Sequence, residues 1–460
     1  MNVNRIMIAA PKSGSGKTTI TCALLQALKD RGKQVVSYKC GPDYIDPMFH
    51  EKVIGIPAKN LDTFFTDETQ TKKLFLNDIS KNDTVVIEGV MGLFDGLGGI
   101  REEGSSYHLA KVTKTPIVLV VDAKGMGRSV IALIAGFLTY DTEKLIRGVI
   151  LNRISKEYYE RIKPLIEETL KIFVFGFVPE QKNLQMESRH LGLVMPNEQE
   201  TMKEKLQRLS KEFCKNVSVD SILKIAAHTE AFDIPQDTVN VLTMQLPVKE
   251  KPIIAVAYDE AFCFYYADNL RLLKEYGAVL TFFSPLHDKQ PPKKYHALLI
   301  GGGYPELYAR QLSENETMRT AIKYALSKGV PTVAECGGFM YLHTSLTNQE
   351  QNCYEMVGAI SASCFYTGRL VRFGYIELEE KQNHFLPKGE RIKGHEFHYY
   401  DSTDNGSDVL ATKPVTGKTY SCMIETENCW LGFPHLYYPS NPAFAKSFVE
   451  KAKRKVWLSS

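Results

Sequence analysis

Short apolar, β-branched runs recur along the first part of the chain at intervals that leave room for a helix. They are RIMIAA (5–10), QVVSYKC (34–40), TVVIEG (84–89), PIVLVVDA (116–123), RGVILNR (147–153) and FVFGFVP (173–179). Runs of this length bounded by turn residues read as buried strands, and their alternation with helical segments predicts a parallel sheet covered by helices. In such sheets ligands bind at the carboxyl ends of the strands, so the loops after these runs are where chemistry is expected.

The pattern weakens between about 195 and 250, where the charged helical segment EKLQRLSKEF gives way to IPQDTVNVLTMQLPVKEKP, which reads as a linker. A second series then begins with IIAVAYD (253–259), VLTFFSP (279–285), HALLIGGG (296–303) and PTVAEC (331–336), followed by β-rich sequence to about 438. The two series share no repeat. The prediction is therefore an α/β protein with two different domains in tandem, over 1–195 and 251–460, with a helical segment and linker over 196–250.

Composition narrows the class of partner. The chain has 460 residues and a net charge of +3, and its strongest single-sign run is KAKRK near the C-terminus, so nothing calls for nucleic acid. Nine cysteines occur without a CxxC pair or regular spacing, which favours a reducing compartment. The opening MNVNRIMIAA is too short an apolar run for a signal peptide, and nowhere do about 18 apolar residues run unbroken. A cytoplasmic protein with no membrane partner is expected.

The first apolar run leads into AAPKSGSGKTT (9–19) and then the helical TITCALLQALKDRG. In this order of strand, loop and helix, GKT places backbone N–H groups around phosphate oxygens, with Lys17 reaching the outer phosphates and the Thr18 hydroxyl on Mg²⁺. Pro11 stands where the first glycine of the usual pattern would be. Lys12, Gly14, Gly16, Lys17, Thr18 and Thr19 are the residues expected to hold the nucleotide, taken to be ATP. The next strands end in carboxylates, Asp43 and Asp46 in KCGPDYIDP, and Glu88 and Asp95 in VVIEGVMGLFDG. Mg²⁺ takes hard oxygen ligands, usually one or two from protein, so Thr18, Asp43 and Glu88 form a candidate set. Turn formation is the alternative for Asp46 and Asp95.

PTVAECGGFMYL puts Cys336 directly after a strand and before two glycines and a helix, the shape of a nucleophile elbow, with Ala334 and Gly338 small enough to let the turn close. A helix N-terminus lowers a thiol pKa, and His435 in WLGFPHLYYPS is the expected proton acceptor. Gly302 and Gly303 of LLIGGGYPE, with Gly337, are candidate oxyanion donors. A buried structural cysteine is the alternative. In GHEFHYY the two histidines lie three apart, which is not the spacing of a zinc helix.

These motifs resemble known families. The phosphate loop is similar to the variant loop of the dethiobiotin-synthetase and partition-ATPase superfamily, in which a lysine can stand where Lys12 does, and that resemblance implies that Asn152 meets the adenine edge. A plain strand-end asparagine is the alternative there. The second half resembles class I glutamine amidotransferase domains; where many of them carry a glutamate two residues after the histidine, this chain has Tyr437. As a whole, from PKSGSGKTT through GPDYIDP, NLDTF, EGVMGLFDG, SRHLGL, GGGYPE, AECGGFMYL, GHEFH and GFPHLYY, the chain resembles the cobyrinic acid a,c-diamide synthase family.

That resemblance implies MgATP- and glutamine-dependent amidation of the a and c acetate side chains of a corrinoid through acyl phosphates. It also implies small-molecule substrates only, and a monomer or homodimer. Tyr44, Asp46 and Asp95 would place the substrate carboxylate, and Arg189 and His190 would meet other carboxylates of the macrocycle, a surface Arg–His pair being the alternative. Nickel-sirohydrochlorin a,c-diamide synthases share nearly all these motifs and stay open as the alternative. A partition-type ATPase switch would explain the first half and leave the second without purpose.

Overall fold

A computed structural model describes residues 3–77, 79–80, 83–180, 199–231 and 251–455. The chain divides into two compact units, Met1–Thr238 and Val239–Ser460.

The first unit is a seven-stranded sheet in the order β3-β2-β4-β1-β5-β6-β7. Its strands are β1 (Asn4–Ala9), β2 (Val35–Cys40), β3 (Ala58–Leu61), β4 (Thr84–Glu88), β5 (Ile117–Asp122), β6 (Ile146–Asn152) and β7 (Phe173–Val178). Every pairing is parallel. All residues of β2 and β4 are buried, which is why these strands read as continuous apolar runs rather than as alternation. The six expected strands are present. The edge strand β3, sequence AKNL, is too polar to announce itself.

Helix α1 (Lys17–Asp30) follows β1 directly, and α2 (Ile45–Phe49) follows β2. Two helices, Gln199–Asn216 and Val219–Ala227, come from the stretch read as a helical segment and linker, and they belong to this unit. Leu206, Leu209 and Phe213 join Ile20, Leu24 and Leu28 of α1 in one core. The end of the first added helix also approaches β7 closely at Gly176, at φ 153°, where an added Cβ would lie 2.1 Å from the Asn216 carbonyl oxygen.

The second unit has a six-stranded sheet. Its members, in order, are Val279–Phe283, Ile253–Ala257, Ala297–Ile300, Thr332–Glu335, Cys429–Gly432 and Ile424–Glu425. All pairs are parallel except the last. Side chains alternate between its two faces: Ala255, Leu298 and Ile300 enter one core, Ile254, Val256 and Leu299 another. The described residues of the unit also form a two-stranded, a four-stranded and a five-stranded sheet, and in the last Arg391–His398 runs antiparallel to His435–Leu436, opposing His395 to His435. All nine cysteines are free. No helix among the described residues is long and apolar enough to cross a membrane.

Arg5, fully buried in β1, fastens the end of the second added helix to the sheet. Its guanidinium donates to the carbonyls of Thr113 (2.8 Å), Val3 (3.0 Å), Lys114 (3.1 Å) and Glu230 (2.9 Å) and to the Thr229 hydroxyl (3.0 Å). These contacts use the whole fork of donors, and removing them strands several buried acceptors. Arg5→Met is expected to lower the stability of the first unit by about 2–4 kcal/mol in urea unfolding followed by a probe in that unit.

Two candidate active sites

The loop between β1 and α1 turns through Gly14 (φ 76°) and Gly16 (φ 95°), both in the left-handed region. Gly16 is fixed further by space, since a Cβ there would stand 2.3 Å from Asn152 Nδ2. That amide, at the end of β6, donates to the Ser15 carbonyl at 2.8 Å. No side chain caps α1, so its first N–H groups form a positive end beside the loop. Lys17 is buried and donates to the Met91 carbonyl (2.5 Å) and, more weakly, to that of Lys12 (3.5 Å). Burial, then the nearby charge of Lys39, pulls its pKa down to about 8 against the opposing pull of Glu88, Asp46 and Asp95. A buried ammonium that, among the described residues, donates to carbonyls at a positive helix end fits a polyphosphate well.

Glu88 closes β4 and is fully buried. One oxygen accepts from the Thr18 hydroxyl (2.6 Å) and from Lys39 Nζ (2.9 Å), while the other lies 3.4 Å from His50 Nε2. Lys39, next to last in β2, also pairs with Asp46 at 2.5 Å. Burial works to raise the Glu88 pKa, but Lys39, His50 and Thr18 outweigh it and hold the carboxyl well below its ordinary range. Asp46 goes the other way: burial and the charge on Glu88 push it up more than Lys39 pulls it down. Burial also opposes the charge on Lys39, yet Asp46 and Glu88 prevail and raise its pKa. The first proton taken by this cluster therefore goes to Asp46, and Glu88 keeps its charge.

Of the expected metal set, Thr18 and Glu88 come together. The Asp43 carboxylate instead accepts from the Ile45 N–H (2.8 Å) at the start of α2. Among the described residues no group of three or more His, Cys, Asp or Glu is arranged to hold a metal ion, so Mg²⁺ here would rest on Thr18, Glu88 and phosphate oxygens. Asp95 accepts from the Gly92 N–H (3.0 Å), and Tyr44 is buried beside α2. Thr19 lies in the first turn of α1; the Lys12 side chain is exposed. Arg189 and His190 fall outside the described residues. A cleft of about 400 Å³ opens beside the loop, lined by Gly125, Met126, Arg153, Ser155 and Tyr158 among others, and Arg153 ties it to the loop by donating to the Gly14 carbonyl (3.0 Å).

In the second unit Cys336 sits between the strand Thr332–Glu335 and the helix Gly337–Leu342 at φ 47°, ψ −104°, a strained backbone for a residue with a Cβ. The elbow closes because its neighbours lack side chains. A Cβ on Gly338 would lie 2.1 Å from the Ile300 carbonyl oxygen, and one on Gly337 would lie 3.1 Å from the Gly303 nitrogen. A Cβ on Gly302 would lie 2.3 Å from His435 Cε1. Gly302, Gly303, Gly337 and His435 thus converge next to the cysteine. The expected lowering of the thiol pKa is not what this environment produces: burial first, and then the charge of Glu306, pushes it up.

His435 is buried and stacks on His395, with centroids 5.0 Å apart and planes 17° apart. Burial, then His395 and His398, holds it well below its ordinary pKa and hence neutral, as a proton acceptor must be. Tyr437, where many amidotransferases have glutamate, turns away and donates to Asp268 (3.3 Å). The carboxylate facing His435 belongs instead to Glu335, whose Oε2 lies 3.9 Å from Nδ1. Lys39, His50 and Glu335 were not singled out by sequence. The available signals were a lysine near the end of a buried strand and a carboxylate one residue before the elbow.

Two family descriptions match the chain: a CobQ/CobB/MinD/ParA nucleotide binding domain over residues 6–194, and a CobB/CobQ-like glutamine amidotransferase domain over 253–441. Full-length similarity extends to cobyrinate a,c-diamide synthases. The one from Caldanaerobacter subterraneus subsp. tengcongensis is 41% identical over 97% of this chain and 97% of its own length. That from Listeria innocua is 39% identical over 98% and 100%, and that from Clostridium acetobutylicum 41% over 96% and 99%.

Gly16→Ala tests the loop geometry. Both the left-handed φ and the collision with Asn152 oppose the substitution, and affinity for ATP in a calorimetric titration is expected to fall by about 10-fold or more, since a strain of ~1–2 kcal/mol acts where the phosphates bind. Unchanged affinity would contradict this account of the loop.

Proposed function

The chain belongs to the cobyrinate a,c-diamide synthase family, and on that premise we propose that it amidates the a and c acetate side chains of cobyrinic acid, using ATP to activate each carboxylate and glutamine as the source of ammonia. The observation that carries this reading is the presence in one chain of a buried Lys17–Lys39–Glu88 cluster next to a glycine-rich loop and a strained Cys336 elbow with His435 packed against Gly302 of the adjoining glycine segment. Amide synthesis is assigned to the first unit and glutamine hydrolysis to the second.

A carboxylate oxygen leaves poorly, so phosphoryl transfer from ATP to the substrate carboxylate comes first and ammonia then displaces phosphate from the acyl phosphate. The first unit's contribution is positive charge and position. Lys17 and the loop N–H groups receive the phosphates, Lys39 offsets Asp46 and Glu88 so that a further carboxylate can approach, and Tyr44, Asp46 and Asp95 border the place it would occupy. Mg²⁺, held by Thr18 and Glu88 with Asp43 nearby, would supply charge against the phosphate oxygens.

In the second unit the Cys336 proton passes to His435, and the thiolate sulfur bonds to the carboxamide carbon of glutamine. N–H groups of Gly302, Gly303 and Gly337 would receive the oxyanion. The C–N bond then breaks, His435 returns the proton to the leaving ammonia, and water hydrolyses the thioester to glutamate. The raised thiol pKa makes this concerted removal of the proton necessary, since a free thiolate is scarce in the resting site.

Mass spectrometry after incubation of cobyrinic acid with the protein, MgATP and glutamine is expected to show two amidations. No change on the corrinoid, with two amidations of nickel-sirohydrochlorin in a parallel reaction, would keep the chemistry and replace the substrate. Cys336→Ala is expected to reduce glutamine-dependent amidation by about 10³-fold or more and to leave the ammonia-dependent reaction intact, because ammonia bypasses the thiol. Lys17→Ala should lower both reactions by about 10²–10³-fold, since each needs phosphoryl transfer; an equal fall in both reactions for Cys336→Ala would overturn the division of labour.

A further inference from the structure

Glu335 is the residue immediately before the nucleophile, yet its side chain turns into the protein and is only 5% exposed. Its Oε1 has no hydrogen-bond partner among the described residues, and its Oε2 faces His435 Nδ1 at 3.9 Å. A buried carboxyl with an unsatisfied oxygen beside the proton acceptor of the same site is expensive to keep unless it has a task. The gap is longer than a hydrogen bond, as such contacts often are before substrate binds.

We infer that Glu335 is the positioning residue of the glutaminase site: its carboxylate holds the proton of His435 on Nδ1, leaves Nε2 to accept the Cys336 proton, and stabilises the imidazolium that results. The inference rests on the reading of Cys336 and His435 given above. It places the third member of the site one residue before the nucleophile, on the strand that carries it, rather than two residues after the histidine, where Tyr437 stands. No proton is transferred to or from Glu335 in the step. The Cys336 proton moves to His435 and later to ammonia, and the carboxylate only accepts a hydrogen bond from Nδ1–H.

Burial pushes the Glu335 carboxyl up to about 8. Below that value its own proton would point at Nδ1 and force the ring proton onto Nε2, the wrong tautomer for accepting from a thiol. The groups that sense its charge from the elements packed around it are Tyr265, Tyr438 and Cys336, all with raised pKa values and all neutral in this range. His435 and, behind it, His395 are held low by burial and are neutral too; Glu396, which faces both His435 and Cys336, stays ionised throughout, and Glu306, which faces Cys336, is pushed up to about 7 by burial.

The test is glutaminase kinetics of the full-length Glu335→Gln enzyme, with thermal unfolding and ammonia-dependent amidation measured on the same preparation. The expected result is a fall in kcat of about 10²-fold or more with KM for glutamine within about twofold, unchanged ammonia-dependent amidation and an undiminished melting temperature. A kcat within about threefold of wild type overturns the inference. A second measurement needs no variant: wild-type glutaminase kcat should rise with pH through about 8 as the carboxylate forms, and a profile flat from about pH 6 to about 9 overturns it equally. Cys336→Ala separates the two claims. Glutaminase surviving in that variant overturns the Cys336 reading itself, whereas glutaminase lost there but kept in Glu335→Gln overturns only the role of Glu335.

Discussion

The buried ammonium of Lys39 lies between Asp46 and Glu88, and the active end of the first unit is arranged around it. At an effective dielectric near 20, two like charges about 4 Å apart repel by ~4 kcal/mol, and each buried ion also loses several kcal/mol of hydration. Lys39 offsets both penalties at once. Through it the ends of β2 and β4 and the start of α2 are drawn to one point, where Thr18 of α1 also arrives by way of Glu88. The residual imbalance, two carboxyls to one lysine, is met by raising the pKa of Asp46. Lys17 feels the same charges, and among the described residues its ammonium donates to the carbonyls of Met91 and Lys12, an arrangement suited to a phosphate.

In the second unit the governing constraint is the separation of backbones rather than charge. The Gly301–Gly303 segment, the elbow at Cys336–Gly338 and the strand bearing His435 approach so closely that side chains at the glycine positions would overlap their neighbours. The strain at Cys336 persists because these contacts over-determine it. The same packing removes water from the thiol and the imidazole, and desolvation accounts for the largest part of both their shifts.

How far the sequence disclosed this depends on how much of each feature is local. Strands such as PIVLVVDA are buried on both faces, so their composition alone declares them, and the glycine and lysine of the phosphate loop declare themselves by spacing. The polar edge strand AKNL did not, and the helical segment expected over 196–250 did not show which unit it joins, because that rests on packing: Leu206, Leu209 and Phe213 are core residues only once α1 is beside them. The same applies to the sites. Cys336 and His435 belong to motifs, whereas the contacts of Lys39, His50 and Glu335 join residues 49, 38 and 100 positions apart in the chain. Asp43 was expected at the metal from its position after a strand; one of its oxygens accepts from the Ile45 N–H in the turn it helps to form, a local contact that composition does not announce.

The two units solve opposite electrostatic problems. The proposed phosphoryl transfer to a carboxylate would bring several negative oxygens together, and in the first unit Lys39 and Glu88 sustain each other's ionised forms inside the protein. Glutamine hydrolysis begins with an uncharged carboxamide and needs a base that is free to accept a proton. Its site keeps Cys336 and His435 neutral at rest, and the thiolate–imidazolium pair of the proposed mechanism would form only as bonding to substrate begins. Burial serves both ends. Among paired opposite charges it strengthens their attraction, and among isolated titratable groups it suppresses ionisation, so the same exclusion of water yields an ionic site in one fold and a neutral one in the other.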